Sequence, residues 1–189
     1  MEVYCVKLYF VSDDAFFLQG AERIVSGMEN ISSETIQVNT PQFIKYFNDN
    51  DVIFLAINSG MVKEFIINNQ TIKKCHLILI YNHPITFSAH GAYPWVMPKS
   101  ITCSELANVI HRVKMAPPVR REIVRRKVFE VFECLCNGWS IDEIAQRLDM
   151  RPKYVNYIKR CAYLRYGLKN CNATATLVCR DICLLKEIV

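Results

Sequence analysis

Apolar residues come in short dense runs along the first part of the chain and at helical spacing along the rest. Val3 to Val11 is β-rich and predicts a strand that ends at Ser12-Asp13-Asp14. Phe16, Phe17, Ala21, Ile24 and Val25 give Ala15 to Ser26 helical spacing. A short strand follows over Thr35 to Val38, then a helix over Pro41 to Asn48 with Phe43, Ile44 and Phe47 facing inward. Asp51 to Ile57 is nearly all apolar, as expected of a parallel strand buried on both faces. Met61 to Asn68 is helical, Leu77 to Tyr81 a fourth strand and Trp95 to Met97 a fifth. Leu106, Val109, Ile110 and Val113 mark an amphipathic helix over Ser104 to Val113. Strand and helix alternate five times, which predicts an α/β doubly wound, parallel five-stranded sheet with its site at the strand C-terminal ends.

The pattern then changes. Met115-Ala116-Pro117-Pro118-Val119 contains paired prolines that stop a helix and stiffen a linker. Beyond it Val128, Val131, Phe132 and Leu135 line one side of a helix over Lys127 to Cys136, which Gly138 ends. Ser140 and Glu143 form a capping box, and Ile144, Ala145 and Leu148 give the helix after it an apolar face. Pro152 suits the first position of the next helix, where its missing N–H is not needed. That helix, over 152–166, has an inward stripe of Val155, Ile158 and Ala162. The outward stripe is Lys153, Asn156, Tyr157, Arg160 and Leu164. A fourth helix is expected over Asn172 to Val189, with Val178, Ile182, Leu185 and Ile188 on one side. The division is thus 1–114 for the sheet domain, 115–123 for the linker and 124–189 for an all-α four-helix domain.

Charge sharpens the division. Residues 1–114 hold 9 Lys+Arg and 10 Asp+Glu, a net of −1; residues 115–189 hold 14 and 8, a net of +6, together the chain's +5. The excess sits in the half with the helix-turn-helix, and nucleic acid is the obvious acidic partner. No apolar run approaches the roughly 20 residues needed to span a bilayer. Asp13-Asp14 stands where a signal peptide would want its cleavage site, so a cytoplasmic protein is expected. Nine cysteines without regular spacing suggest reduced thiols, with no CxxC pair for a metal. His76, His83, His90 and His111 are scattered, and no P-loop or GxGxxG occurs, so no catalytic constellation or cofactor is expected.

The first half resembles a response-regulator receiver domain. Asp13-Asp14 match the acidic pair that holds magnesium in that family, and Lys99 matches the lysine ahead of the last helix. Asp51-Val52-Ile53-Phe54-Leu55-Ala56 matches the third strand, whose last residue in the family is the phosphate-accepting aspartate. Here that residue is Ala56, and a methyl group cannot form an acyl phosphate. The family's hydroxyl at the end of the fourth strand is replaced by Tyr81 or Asn82. The resemblance implies a pseudo-receiver with Asp13, Asp14, Ala56 and Lys99 as a vestigial site.

The second half resembles the LuxR/FixJ (GerE) type of DNA-binding domain from about Val124 to Leu177. Glu130, Leu135, Gly138, Ser140, Glu143, Ile144, Ala145, Leu148, Val155 and Gly167 fall on its characteristic positions. Arg125, Lys127-Val128, Arg151 and Tyr154 depart from it, at the two helix caps, at the pair after the first cap and at the residue before Val155. The whole chain is similar to atypical, non-phosphorylated enterobacterial regulators of the RcsA, BglJ and GadE kind.

The function expected is that of a bacterial DNA-binding transcriptional regulator, independent of phosphorylation and not an enzyme. Lys153, Tyr154, Asn156, Tyr157, Lys159 and Arg160 are its candidate contacts to double-stranded DNA. It is expected to act as a homodimer or as a heterodimer with another regulator, without membrane or small-molecule substrate. The alternative is an auxiliary protein-interaction regulator, a heterodimer partner or anti-activator, that reads DNA weakly or not at all.

Overall fold

The computed structural model describes residues 7–28, 31–38, 47–86, 95–117, 119, 122–168 and 172–189. The chain forms two compact units, Met1–Asn82 with Pro94–Arg120 and His83–Tyr93 with Arg121–Val189.

In the first unit the strands are β1 (Leu8–Ser12), β2 (Ser33–Gln37), β3 (Val52–Ala56), β4 (His76–Tyr81) and β5 (Trp95–Pro98). They form one parallel sheet in the order β2-β1-β3-β4-β5. That is the doubly wound order whose site lies between β1 and β3, where the direction of winding reverses. Every residue of β1, β3 and β4 is buried, which accounts for their unbroken apolar runs. The helices are α1 (Ala15–Ser26), α2 (Gly60–Asn68) and α3 (Cys103–Lys114). α1 packs beside α3. α2 joins strands that step the other way across the sheet, so right-handed crossover puts it on the opposite face. The sheet and its alternating helices are those expected from the sequence.

Two details differ. Leu18, Ala21 and Val25 face the core of α1, whereas Phe16 is 85% exposed. Asp14 caps the helix by accepting from the Phe16 and Phe17 N–H groups, which fixes its phase and turns Phe16 outward. The helix expected over 41–48 falls mostly outside the described residues. Phe47 itself is buried edge-on against Tyr9, with ring centroids 4.7 Å apart.

The second unit is helical: α4 (Arg126–Cys136), α5 (Ile141–Arg147), α6 (Pro152–Arg165) and α7 (Ala173–Leu184). Its core holds Val131, Phe132, Ile144, Val155, Ile158, Val178 and Ile182. Tyr163 joins them, its hydroxyl 2.6 Å from that of Thr176 on α7.

The terminal helix does not run to Val189. It stops at Leu184, and Glu187–Ile188 forms a strand, β7, parallel to β6 (Ile123–Val124). The Glu187 and Val189 N–H groups donate to the Glu122 and Val124 carbonyls. Lys186 Nζ donates to Glu122 Oε2 at 2.6 Å and to the Tyr166 hydroxyl at 2.8 Å. These partners are more than sixty residues away in the case of Glu122, and they override the local helical spacing that placed Ile188 inside; it is 40% exposed.

Three helices of this unit end in one motif, a left-handed residue with two reversed hydrogen bonds. After α4 it is Gly138 (φ 82), with Gly138 N–H donating to Leu135 O and Trp139 N–H to Cys134 O, both 3.1 Å. After α6 it is Gly167 (φ 63), and Leu168 N–H donates to Tyr163 O at 2.9 Å. After α5 it is Asp149 (φ 50), and Met150 N–H donates to Ala145 O at 2.9 Å.

Space around Gly138 is open, so an added methyl meets nothing within 4 Å. Gly138→Ala therefore isolates the conformational term, and a loss of about 1–2 kcal/mol is expected. It is read as a lower urea midpoint at unchanged slope by far-ultraviolet circular dichroism. An unchanged midpoint would mean that the motif is not formed.

Candidate nucleic-acid interface

α5, the turn at 148–151 and α6 make a helix-turn-helix. α5 begins with its capping box: the Glu143 N–H donates to Ser140 Oγ at 3.3 Å, and Glu143 Oε2 accepts from the Ser140 N–H at 2.7 Å. The hydrogen bonds at Ser140 hold the Glu143 carboxyl below the usual carboxylate range. Ile144 and Ala145 are buried and seat α5 under α6. At the other end Lys127 Nζ donates to Leu148 O at 3.1 Å, a cation on the negative end of the helix dipole. Arg147 lies over the Trp139 ring, 4.7 Å from its centroid.

α6 has Val155, Ile158 and Tyr163 buried. Lys153, Tyr154, Asn156, Tyr157, Arg160 and Leu164 are exposed along its length. Lys159, half-buried, sits at the flank of that face. The helix contains Lys153, Lys159, Arg160 and Arg165 and no acidic residue. Its N-cap is Arg151, which makes no side-chain hydrogen bond to the first turn. The positive end of the dipole, Arg151 and Lys153 thus coincide, an arrangement suited to a phosphate group. Asn156 Nδ2 reaches back to Pro152 O at 3.4 Å, a long bond that a base edge could replace. The Tyr154 and Tyr157 rings are stacked, 6.0 Å between centroids and 15° between planes. The neighbouring Cys161 side chain raises the pKa of the Tyr157 phenol.

Sequence spacing places these exposed side chains together but misses Arg151 as a neighbour. Lys127 belongs to the basic run of Arg120, Arg121, Arg125, Arg126 and Lys127, which could reach phosphates at a groove edge. Lys127, Asp149, Met150, Arg151, Lys153 and the two tyrosines enclose a recess of about 600 Å³ at the start of α6. A basic residue at a position that normally takes a cap is the signal that could have marked Arg151. Arg165 is engaged elsewhere, with Glu122 Oε2 at 3.0 Å.

The acidic corner of the first unit is a separate candidate. Asp13 accepts from the Asn58 backbone N–H (2.9 Å), the Asn58 side-chain amide (3.0 Å) and the Ser59 N–H (3.1 Å). Asp14 caps α1 and pairs with Lys99 Nζ at 2.5 Å. Ala56 is buried at the end of β3, its carbonyl accepting from Ser12 Oγ at 2.6 Å. Asp13, Asp14, Ala56 and Lys99 therefore meet, but both carboxylates are held by the chain's own donors. Among the described residues no group of three or more His, Cys, Asp or Glu is placed to hold a metal ion. Burial pushes the Cys75 and Cys183 thiols up to about 12 and Cys136 to about 11, so these sulfurs stay protonated at neutral pH. Among the described residues no helix is long and apolar enough to cross a membrane.

No family model and no curated protein matches the sequence. Among solved structures, the chain is similar to the two-component response regulator RcsB in complex with DNA. The two are 13% identical over 93% of this chain and 98% of that one, with a TM-score of 0.49. It is similar, to the same identity and coverage, to RcsB from Salmonella enterica serovar Typhimurium bound to promoter rprA with phosphomimetic BeF3⁻, at a TM-score of 0.47. The response regulator ChrA of a heme-sensing two-component system is 15% identical over 92% of this chain and 95% of that one, at 0.34. At such values residue roles do not carry over, and the fold is fixed by the strand and helix order given above. That order is a doubly wound parallel sheet unit and a four-helix unit with a helix-turn-helix.

The acidic corner makes a prediction about pH. Lys99 first, then the Phe17 and Phe16 N–H groups, hold the Asp14 carboxyl below its ordinary value. A carboxylate depressed by folding contributes stability that is fully present above the unfolded pKa of about 3.9. That contribution is lost as pH falls through the lower folded value. Asp14→Asn should flatten this acid limb in urea midpoints taken across the acid range; an unchanged limb would mean that the pair with Lys99 contributes nothing.

Proposed function

We propose that the chain is a DNA-binding transcriptional regulator that seats α6 in the major groove of duplex DNA. The observation that carries this reading is the exposed face of α6, basic and free of carboxylates, on a helix whose orientation is set by a capped α5 and a tight turn. Lys153, Lys159 and Arg160 supply phosphate or guanine contacts, and Asn156 is the candidate adenine reader. Tyr154 and Tyr157 offer flat apolar surface between them. The division into a receiver-like domain (1–114), a linker (115–123) and a DNA-binding domain (124–189) belongs to the same reading. So does a dimer, with a second copy or another regulator, that spans half-sites about one DNA turn apart.

Each phosphate contact releases condensed counterions, so its loss is seen in the salt dependence of binding. Arg160→Ala and Lys153→Ala should each weaken binding to mixed-sequence duplex and lower the slope of log K against log salt by about 1. If neither variant changes affinity or slope, α6 does not face DNA. The alternative is then favoured, an auxiliary regulator that acts by pairing with another protein. Its support is that neither Arg125 nor Arg151 gives its helix a side-chain cap.

We further propose that control does not pass through an aspartyl phosphate. Ala56 occupies the acceptor position, and Asp13 and Asp14 are bonded within the chain. Incubation with acetyl phosphate and magnesium should leave the mass of the intact protein unchanged. A base-labile increment of one phosphoryl group in that unit would overturn the proposal.

A further inference from the structure

The most prominent feature of the outward face of α6 is aromatic. Tyr154 is 44% exposed and Tyr157 61%, large apolar areas to leave in water at the centre of a basic surface. Their near-parallel rings, one helical turn apart, form a single ledge along the recess at the start of the helix. Met150 continues the apolar surface, and Lys127, Arg151 and Lys153, with the single carboxylate of Asp149, leave its rim net positive.

The hydrogen-bonding groups nearby are partly used. Asn156 bonds its own helix. What the ledge presents outward is chiefly ring surface, with a hydroxyl only at the edge of each ring. In the major groove the base-edge group that matches an apolar surface is the C5-methyl of thymine; every other readable group there is a donor or acceptor.

From this geometry, and resting on the DNA-binding reading above, we infer that Tyr154 and Tyr157 select duplexes by contact with pyrimidine C5-methyl groups, thymine above all. The flanking cations hold the phosphates on either side, and the ledge decides which base steps lie between them. A ring-to-methyl contact needs no hydroxyl, so phenylalanine serves in place of tyrosine, whereas serine does not.

The test uses the full chain and a pool of duplexes with a randomised central segment, enriched by repeated binding and then recopied with deoxyuridine in place of thymidine. Loss of the methyl groups should weaken binding about 4-fold for each one buried, and up to about 15-fold if both rings are engaged. Tyr154→Ser with Tyr157→Ser should bind the two forms of the pool equally, and Tyr154→Phe with Tyr157→Phe should keep the difference. Because both side chains are exposed, circular dichroism should show the variants folded as the parent is. Salt-dependent binding that is equal for the thymidine and deoxyuridine pools overturns the inference and leaves DNA binding standing. A difference that survives in the serine variant overturns it too, because duplex shape is then its source. Failure of any duplex to be enriched overturns both.

Discussion

The placement of α6 depends on a left-handed residue at Asp149. α5 is seven residues long, short for a helix in isolation, and it holds because both ends are satisfied. Ser140 and Glu143 close its N-terminus. At the other end Asp149 at φ 50 turns the chain so that the Met150 N–H can reach Ala145 O. A right-handed residue there would continue α5 into the space where α6 begins. Asp accepts the left-handed region at lower cost than a branched residue, since its short polar side chain can bond locally. Only after that turn can Pro152 start α6 in the direction that buries Val155 and Ile158 and leaves Lys153, Tyr157 and Arg160 outside. The chemistry of the candidate interface is thus a consequence of one backbone angle.

The acidic corner of the first unit is governed by charge satisfaction. Carboxylates at the C-terminal ends of parallel strands would repel each other unless cations or N–H donors reach them. Here the donors come from the chain: the Asn58 and Ser59 N–H groups for Asp13, and Lys99 with the start of α1 for Asp14. The loop after β3 is thereby tied to the end of β1, across the switch point of the sheet. With alanine at the end of β3, the corner acts as a structural clasp. It holds β1, the loop after β3 and Lys99 together through the chain's own donors.

Much of this was legible in the sequence because local pattern and final burial agree. Unbroken apolar runs gave β3 and β4, since strands covered on both faces need no polar alternation. The capping box and Pro152 gave the helix-turn-helix, since they act within one turn of the residues that they stabilise. Legibility failed where distant partners decide. Leu185 and Ile188 fit a helical stripe, yet Glu187 and Val189 pair with Glu122 and Val124 and end the helix early. Phe16 fits the apolar stripe of α1, but the cap at Asp14 sets the phase and leaves it in solvent. In the candidate site, the exposed face of α6 follows from helical spacing alone. The recess beside it does not, because Lys127 comes from α4 and Met150 from the turn.

The C-terminal strand gives the second unit a constraint that its helices lack. Glu122, at the entry to β6, is bonded by Arg165 from the last turn of α6 and by Lys186 just before β7. Lys186, nearly buried, also donates to Tyr166, the residue that caps α6. Desolvation raises the pKa of that half-buried phenol, which remains neutral and can accept from the ammonium. The end of α6, the strand that enters the unit and the end of the chain are therefore joined through a single carboxylate. A displacement of β6 cannot leave Arg165 where it is without breaking a charge-assisted bond. Exposed ion pairs of this kind are each worth little, about 0–1 kcal/mol. The half-buried Lys186 pair and the β6–β7 backbone bonds act together, however, and the cooperative set resists sliding more than any member does. The start of α6 is fixed by a turn and its end by a clasp, so its outward face is presented as a rigid surface.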